Sequence, residues 1–550
     1  MPFWETVMES PPDSVYGKRL LPAIVDEVAV EDPERICFSF PRSSDLGDGF
    51  QDMNFRTFAN AINKTAHFIQ REIGCSTMFE TILYMGDPDV RHFIVLIALM
   101  KTGHKVLFSS HHNSVAGHAH LIQRTDCGII LYSSGFPITR ILELCRLESV
   151  CMPELDYLLD DTPCQHYPYA KSFEEAKHQP CILLHTSGST GMPKLVTWTH
   201  WMISTMDSQN SVAPLDGRPC LWGETILQSS GRGFSALPIF HGAGIATAIA
   251  RVCFSNSSVV LGPPGLATAD VFAGVLDRAG FDSANCVPVT LEEIATRPDV
   301  LEKVRKLKHI TYVGGSLSKA AGDTISQYTQ LYAIMASTEA SIITQHTTDT
   351  EDWQYVCLNP DVNGFEMRQN GHMYELVFVK KAHQADHQGI FKIFPRLEEY
   401  STSDLFSKHP TKPNHWKHES RTDDIIIFKN GWNFNPIVHE YLIASLDPVK
   451  YCLLVGTGRD MPAAIIELHD KHYDKDKQEI ISALSSHIDE ANSFCDSIGQ
   501  LRKDCIIFAN KEKTFAITGK GTVQRKATVA MYSHEIDRLY ASVKSGGVNV

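Results

Sequence analysis

Leu183–Lys194 reads LLHTSGSTGMPK. Thr186, Ser187, Gly188, Ser189, Thr190 and Gly191 form an unbroken run of small residues behind the apolar Cys181-Ile182-Leu183-Leu184, which reads as a buried strand. A run of that kind cannot fill a core. Its glycines allow backbone conformations closed to other residues, its hydroxyls add donors, and Lys194 supplies a cation behind Pro193. The job that fits is wrapping a polyphosphate; a flexible Ser/Gly linker is the alternative, but linkers seldom sit between a strand and a Pro-Lys pair.

Met192 follows Gly191 where a Walker A loop needs lysine, so that motif is excluded. The string instead resembles the AMP-binding signature of the adenylate-forming superfamily, which includes acyl-CoA synthetases, luciferases and peptide-synthetase adenylation domains. The resemblance runs from about Leu20 to Tyr540. With the Phe-His-Gly segment and a C-terminal Gly-Lys-Gly-Thr-Val-x-Arg-Lys-Ala string, it is greatest to the adenylation domains of fungal peptide-synthetase-like carboxylic acid reductases. The fold it implies is α/β: a large multi-layered N-terminal adenylation domain of mixed sheets and helices over residues 1–420, then a small α+β lid over 421–550 with its hinge near Asp423.

Composition agrees with a globular enzyme. The 550 residues exceed one ordinary core, 43% are apolar and 21% charged. A net charge of −14 argues against a nucleic-acid partner. The longest apolar run, Phe93–Met100, is too short to span a bilayer, and the acidic, proline-containing start does not read as a signal peptide. Fourteen scattered cysteines without a C-x-x-C pair favour free thiols in a reducing compartment, so the expected location is cytoplasmic, without a membrane partner.

Helical spacing dominates from Leu20 to about Phe79; Phe93–Met100, Lys105–Phe108 and Gly128–Tyr132 then alternate as buried helix and strands, an α/β layered pattern. Val252–Gly262 and Asn285–Val289 read as further strands. His111 and His112, in a polar loop after a strand, are read as rim residues because no second ligand cluster has metal spacing. His241, in Pro238–Gly244, is either a satisfied core histidine or, by the resemblance, part of the acid pocket with Gly242. The position where amino-acid-activating members carry an aspartate falls in a stretch without carboxylates, and a buried ammonium needs a counter-charge, so the acid is expected to be aryl or alkyl and not an α-amino acid.

The resemblance assigns further roles. Gly314 and Gly315 would let adenine and acid lie against the backbone, although a plain turn reads the same way. In Leu331–Glu339, LYAIMASTE, Ser337 belongs to the nucleotide site, Thr338 would bond the α-phosphate, and Glu339 would hold Mg2+. Met335 and Ala336 replace the usual Tyr and Gly. Asp404, in YSTSDLF, would accept both ribose hydroxyls; Arg421 would contact ribose or phosphate, and Asp423 would be the pivot. The catalytic lysine of the lid is Lys520 or Lys526, with Lys520 preferred, because Thr522 occupies the aligned position. Lys194 completes the cationic set around the phosphates.

The activity implied is two-step: ATP and a carboxylic acid give acyl-AMP and pyrophosphate, and a thiol, phosphopantetheine or CoA, takes the acyl group. A carrier protein and a downstream reductase or thioesterase are the expected partners, in trans or downstream, and secondary metabolism the expected setting. A stand-alone acyl-CoA ligase and a nucleotide-binding protein that has lost catalysis are the alternatives.

Overall fold

The computed structural model describes residues 16–187, 192–227, 231–430, 432–495, 497–517 and 522–544. Among the described residues lie three large sheets, one of three strands and two of two strands. The first has the order Glu148–Cys151, Ile129–Tyr132, Thr81–Met85, Lys105–Phe108, Pro180–Ser187, Pro193–Thr199. Its first five strands run parallel and the last turns back as a hairpin. The parallel strands are nearly continuous Val, Ile and Leu, as expected for strands covered on both faces.

The second sheet has the order Gln330–Ala333, His309–Tyr312, Ser283–Cys286, Arg232–Ser235, Ser258–Leu261, Ile36–Pro41, Phe50–Asn54, parallel except for the last pair. Between the two sheets lie the helices Phe55–Glu72 and Arg91–Lys101. Every residue of the second is buried, which explains its apolar sequence; its two cationic ends are neutralised, Lys101 by Asp26 at 2.6 Å and Arg91 by Asp89 at 2.6 Å. Asn54 caps the first helix by accepting from the Thr57 N–H at 2.9 Å.

A third, antiparallel sheet follows, ordered Gln345–His346, Tyr355–Leu358, His415–Arg421, Glu399–Lys408, Met373–Val379, Phe365–Asn370. Beyond it a separate core is drawn wholly from Ile426 to Tyr540. There Val449–Val455, Ala463–Leu468 and Ile506–Phe508 form a sheet, and the buried side chains of Lys477–Asn492, Ile480, Leu484 and Ile488, recur at helical spacing in that core. Among the described residues no helix is long and apolar enough to cross a membrane.

The layered α/β architecture is the one expected, with three local corrections. A hairpin, Ile36–Pro41 with Phe50–Asn54, interrupts the helical run read over 20–79. The strand read over Val252–Gly262 is Ser258–Leu261 alone, because Val252 and Cys253 end the buried helix Gly242–Cys253. The strand Ser283–Cys286 starts earlier than read and stops before Pro288, which opens the helix Pro288–Ala295.

Candidate active site

The carboxyl ends of parallel strands leave a crevice where ligands bind in open α/β sheets. Here it is a cleft of about 2510 Å³, between the second sheet, the 180–199 hairpin, the third sheet and residues 517 and 522–527. That volume exceeds the ordinary range for one small ligand, about 300–1,000 Å³.

The hairpin register places Thr186 directly opposite Lys194 and Ser187 opposite Pro193. Thr186 and Ser187, which open the small-residue run, are therefore held in a hairpin ladder. Thr186 and Lys194 line the cleft; Gly188, Ser189, Thr190 and Gly191 lie outside the described residues. Across the cleft stands Glu339, with Oε1 3.5 Å from Thr186 Oγ1. Thr338 is held from behind: Trp198, on the returning hairpin strand, donates from Nε1 to the Thr338 carbonyl at 2.8 Å. Ser337 also lines the cleft, but its hydroxyl accepts from the Ala340 N–H at 3.0 Å, so it is engaged in the turn.

Gly242 begins the helix Gly242–Cys253; a β-carbon there would meet Thr338 Oγ1 at 3.5 Å and Leu184 at 3.4 Å. His241 precedes it, 7% exposed, with its ring 5.0 Å from Phe240 and 6.2 Å from His185. Gly314 and Gly315 line the opposite wall. Gly314 has φ +98°, which favours glycine, yet a β-carbon there would meet nothing within 4 Å.

Asp404 lines the cleft from inside Glu399–Lys408, beside an irregularity of the ladder and next to Ser403 at φ +63°. It stands opposite Arg421 in the ladder, and Arg421 Nη1 donates to Asp404 Oδ1 at 3.1 Å. Arg421 Nε donates to Asp423 at 3.1 Å. Burial works against the guanidinium charge, but Asp404 and Asp423 outweigh it and the Arg421 pKa goes up. Arg421 and Asp423 both line the cleft.

His111 and His112 both line the cleft. The His111 ring is 4.4 Å from Phe240, and burial, with His112 and His118 adding repulsion, lowers its pKa to about 4. Among the described residues the one group with metal-ligand spacing is Asp349, Glu351 and Asp352, away from this cleft. Lys412 already lies 2.7 Å from Asp349 and pairs with Asp352, while Arg218 is 2.6 Å from Asp349. Hydrogen bonds from Arg218 and Lys412 hold the Asp349 carboxyl well below the usual carboxylate range.

From the C-terminal core, Thr522 and Lys526 reach the cleft; Lys520 lies outside the described residues. Ile517 and Val523 bridge on either side of 518–522. Behind them Arg525 makes a two-toothed contact with Glu440, at 2.8 and 2.7 Å, and reaches Asp424 at 3.2 Å. Sequence reasoning missed Trp198, Glu440 and Tyr400. Tyr400 lines the cleft, its ring parallel to Phe394 at 5.6 Å, and burial, with Glu339 and Asp404 nearby, raises its pKa. Only its place four residues before Asp404 was a signal; the partners of Trp198 and Glu440 lie 140 and 85 residues away.

The family model described as AMP-binding enzyme matches residues 25–361, and the AMP-binding enzyme C-terminal domain matches 423–544. The isocyanide synthase-NRPS hybrid crmA of Aspergillus fumigatus is 33% identical over 540 residues, which are 96% of this chain and 34% of that protein. A carboxylic acid reductase of Neurospora crassa is 29% identical over 549 residues, 98% of this chain and 52% of the relative. The chain thus spans about a third to a half of the length of these relatives. Among solved structures, the anthranilate CoA ligase AuaEII in complex with anthranoyl-AMP matches with TM-score 0.70 at 16% identity, over 93% of this chain and 97% of that one. An ATP-bound MatB from Rhodopseudomonas palustris matches with TM-score 0.69 at 14% identity, over 95% and 100%. With both family models matched in order along one chain, this protein belongs to the AMP-binding, adenylate-forming enzyme superfamily, among relatives that include fungal NRPS-like carboxylic acid reductases and adenylate-forming reductases.

Proposed function

We propose that the protein activates a carboxylic acid with ATP. An acid oxygen attacks the α-phosphorus, the bond from that phosphorus to the bridging oxygen breaks, and pyrophosphate leaves with acyl-AMP as the product. The observation that carries this reading is that Thr186, Lys194, Thr338, Glu339, Asp404 and Arg421, drawn from four separate stretches of chain, face one cleft. Phosphoryl transfer asks little covalent work of a protein and much charge neutralisation and positioning.

Lys194 supplies a cation beside the phosphate hairpin, Thr186 and Thr338 supply hydroxyls, and Gly314, Gly315 and Asp404 hold the nucleoside. Ser187 to Gly191 would cradle the β- and γ-phosphates. Glu339 suits Mg2+, a hard cation that is usually bound by one or two carboxylates plus phosphate oxygens; when bound it would neutralise phosphate charge. His241 and Gly242 border the acid. No Asp or Glu occurs in residues 234–246, which supports an aryl or alkyl acid over an α-amino acid.

The second half-reaction is transfer to a thiol, where sulfur bonds the acyl carbon and AMP leaves. Phosphopantetheine on a carrier is the preferred acceptor and CoA the alternative. Residues 1–420 would form the adenylation domain and 421–550 a lid pivoting at Asp423, so that one site serves both steps. The test is acid-dependent exchange of pyrophosphate into ATP, with hydroxylamine trapping acyl-AMP as the hydroxamate. Exchange is expected with an aryl or alkyl acid and is lost in Glu339→Ala. ATP binding without exchange for any acid would leave a nucleotide-binding protein without catalysis.

A further inference from the structure

Ser235, on the wall of the cleft, and the residues packed behind it carry polar groups that the activating chemistry does not use. A β-carbon at Gly233 would collide with the Arg251 guanidinium of the Gly242–Cys253 helix, and Arg251 Nη2 donates to Ser283 Oγ at 3.0 Å. Gly233 and Ser283 therefore face that helix. Side chains in a strand repeat every second residue, so Ser235 and Asn285 face it too. The register sets them side by side, Ser235 against Asn285 and Asn285 against Thr311, in one row across three parallel strands.

Ser235 is 6% exposed and lines the cleft; Asn285, 3% exposed, stands beside it one strand away, behind the lining residues. Ser235 Oγ and Asn285 Oδ1 have no hydrogen-bond partner among the described residues. The orientation of the amide is set from its other end. Asn285 Nδ2 donates to Thr311 Oγ1 at 2.5 Å, and the Thr311 hydroxyl spends its own proton on the Ala284 carbonyl at 3.4 Å. The Asn285 oxygen is thereby left as a bare acceptor beside a hydroxyl that can accept as well. Around them the walls are apolar: Leu261 next to Ser235 in the row, and Ala243 and Ala246 on the helix, small enough to leave space.

Strand and helix run in opposite senses from the cleft. Two strand residues from Gly233 to Ser235 cover about the same distance as four or five helix residues, which brings the level of Arg251 to that of Ala246. The path from Gly242, beside Thr338, to Ala246 is thus a descent from the phosphates to the polar row.

We infer that Ser235 and Asn285 select an acid whose apolar body ends in a hydrogen-bond donor, a hydroxyl or amino group remote from the carboxylate. The inference rests on the acid-activating reading above. Buried acceptors left without donors are costly, so a site built this way rejects the analogue that lacks the group. The same row gives no counter-charge, so the amino group it fits is a neutral arylamine and not an ammonium.

The test is hydroxamate formation with acids matched in skeleton: benzoate against its 2-, 3- and 4-hydroxy and amino derivatives, and hexanoate against 6-hydroxyhexanoate. The wild-type protein is expected to favour one substituted acid over its parent by about tenfold or more in kcat/KM. Ser235→Ala and Asn285→Leu should bring that ratio towards one, chiefly by improving the parent. ATP binding and circular dichroism confirm that each variant is folded, and Asn285→Ser replaces Asn285→Leu if the latter is not. Equal use of parent and substituted acids by the wild type, or a ratio unmoved in the folded variants, overturns the inference and leaves acid activation standing. No hydroxamate from any acid overturns both.

Discussion

Trp198→Phe tests whether the hairpin positions the Thr338-Glu339 pair. Trp198 is 1% exposed, and its indole N–H is the donor to the Thr338 carbonyl. Phenylalanine removes that donor, which costs about 1–3 kcal/mol for a part-buried acceptor left wanting. The smaller ring also leaves a void of about three heavy atoms, for roughly 1–2 kcal/mol more. Stability should fall by about 2–5 kcal/mol in urea unfolding. The functional effect is separate: Thr338 and Glu339 lose their anchor to the strand that carries Lys194, and a misplacement of about 1 Å costs on the order of 100-fold in rate. Trp222→Phe is the control, since Trp222 is 2% exposed and its Nε1 has no partner among the described residues. It should show the volume loss alone, with pyrophosphate exchange per folded molecule unaltered. Equal exchange in the two variants would refute the positioning role of Trp198, whatever happens to stability.

Arg525→Leu should destabilise the 426–540 core by about 3–5 kcal/mol, because it leaves the Glu440 carboxylate buried without its partner; hydrogen exchange should locate the lost protection there, and a global loss would contradict a separate core. Burial pushes the pKa of His92 down to about 3, against about 6.5 in the unfolded chain. The folded state therefore prefers the neutral ring, and stability is full above about pH 6.5 and falls as pH drops, by about 2–3 kcal/mol at pH 4.5; His92→Phe should flatten that slope in urea midpoints measured from pH 7 to 4.5. Lys520→Ala should lose acyl-AMP formation by roughly 100-fold or more while Lys526→Ala stays within about fivefold, and the reverse pattern in hydroxamate assays would move the catalytic role to Lys526.

Much of the architecture was legible in the chain because it is written in local periodicity. Cys181–Leu184, Lys105–Phe108 and Gly128–Tyr132 are short apolar runs, and each falls on a strand. Failures came where a helix and a strand share the same residues: Val252 and Cys253 are β-prone by type, yet they complete a buried helix begun at Gly242. The glycine pair was legible as a turn, but which glycine takes the left-handed backbone was not, since the +98° angle of Gly314 is set by what precedes and follows it in space.

By itself the sequence determined the parts: a glycine-and-hydroxyl stretch ending in lysine, a Thr-Glu pair, an aspartate after small residues and an Arg-x-Asp-Asp element, in an order that belongs to one superfamily. Only the tertiary structure decided that Thr186 pairs with Lys194 across a hairpin ladder, that Trp198 grips Thr338, that Arg525 lies against Glu440, and that Ser235 and Asn285 stand in one row. The physical reason is range. Residue type and spacing encode what a segment does with its own neighbours, whereas these contacts join segments 8 to 140 residues apart and exist only once sheets have stacked and strands have found their register.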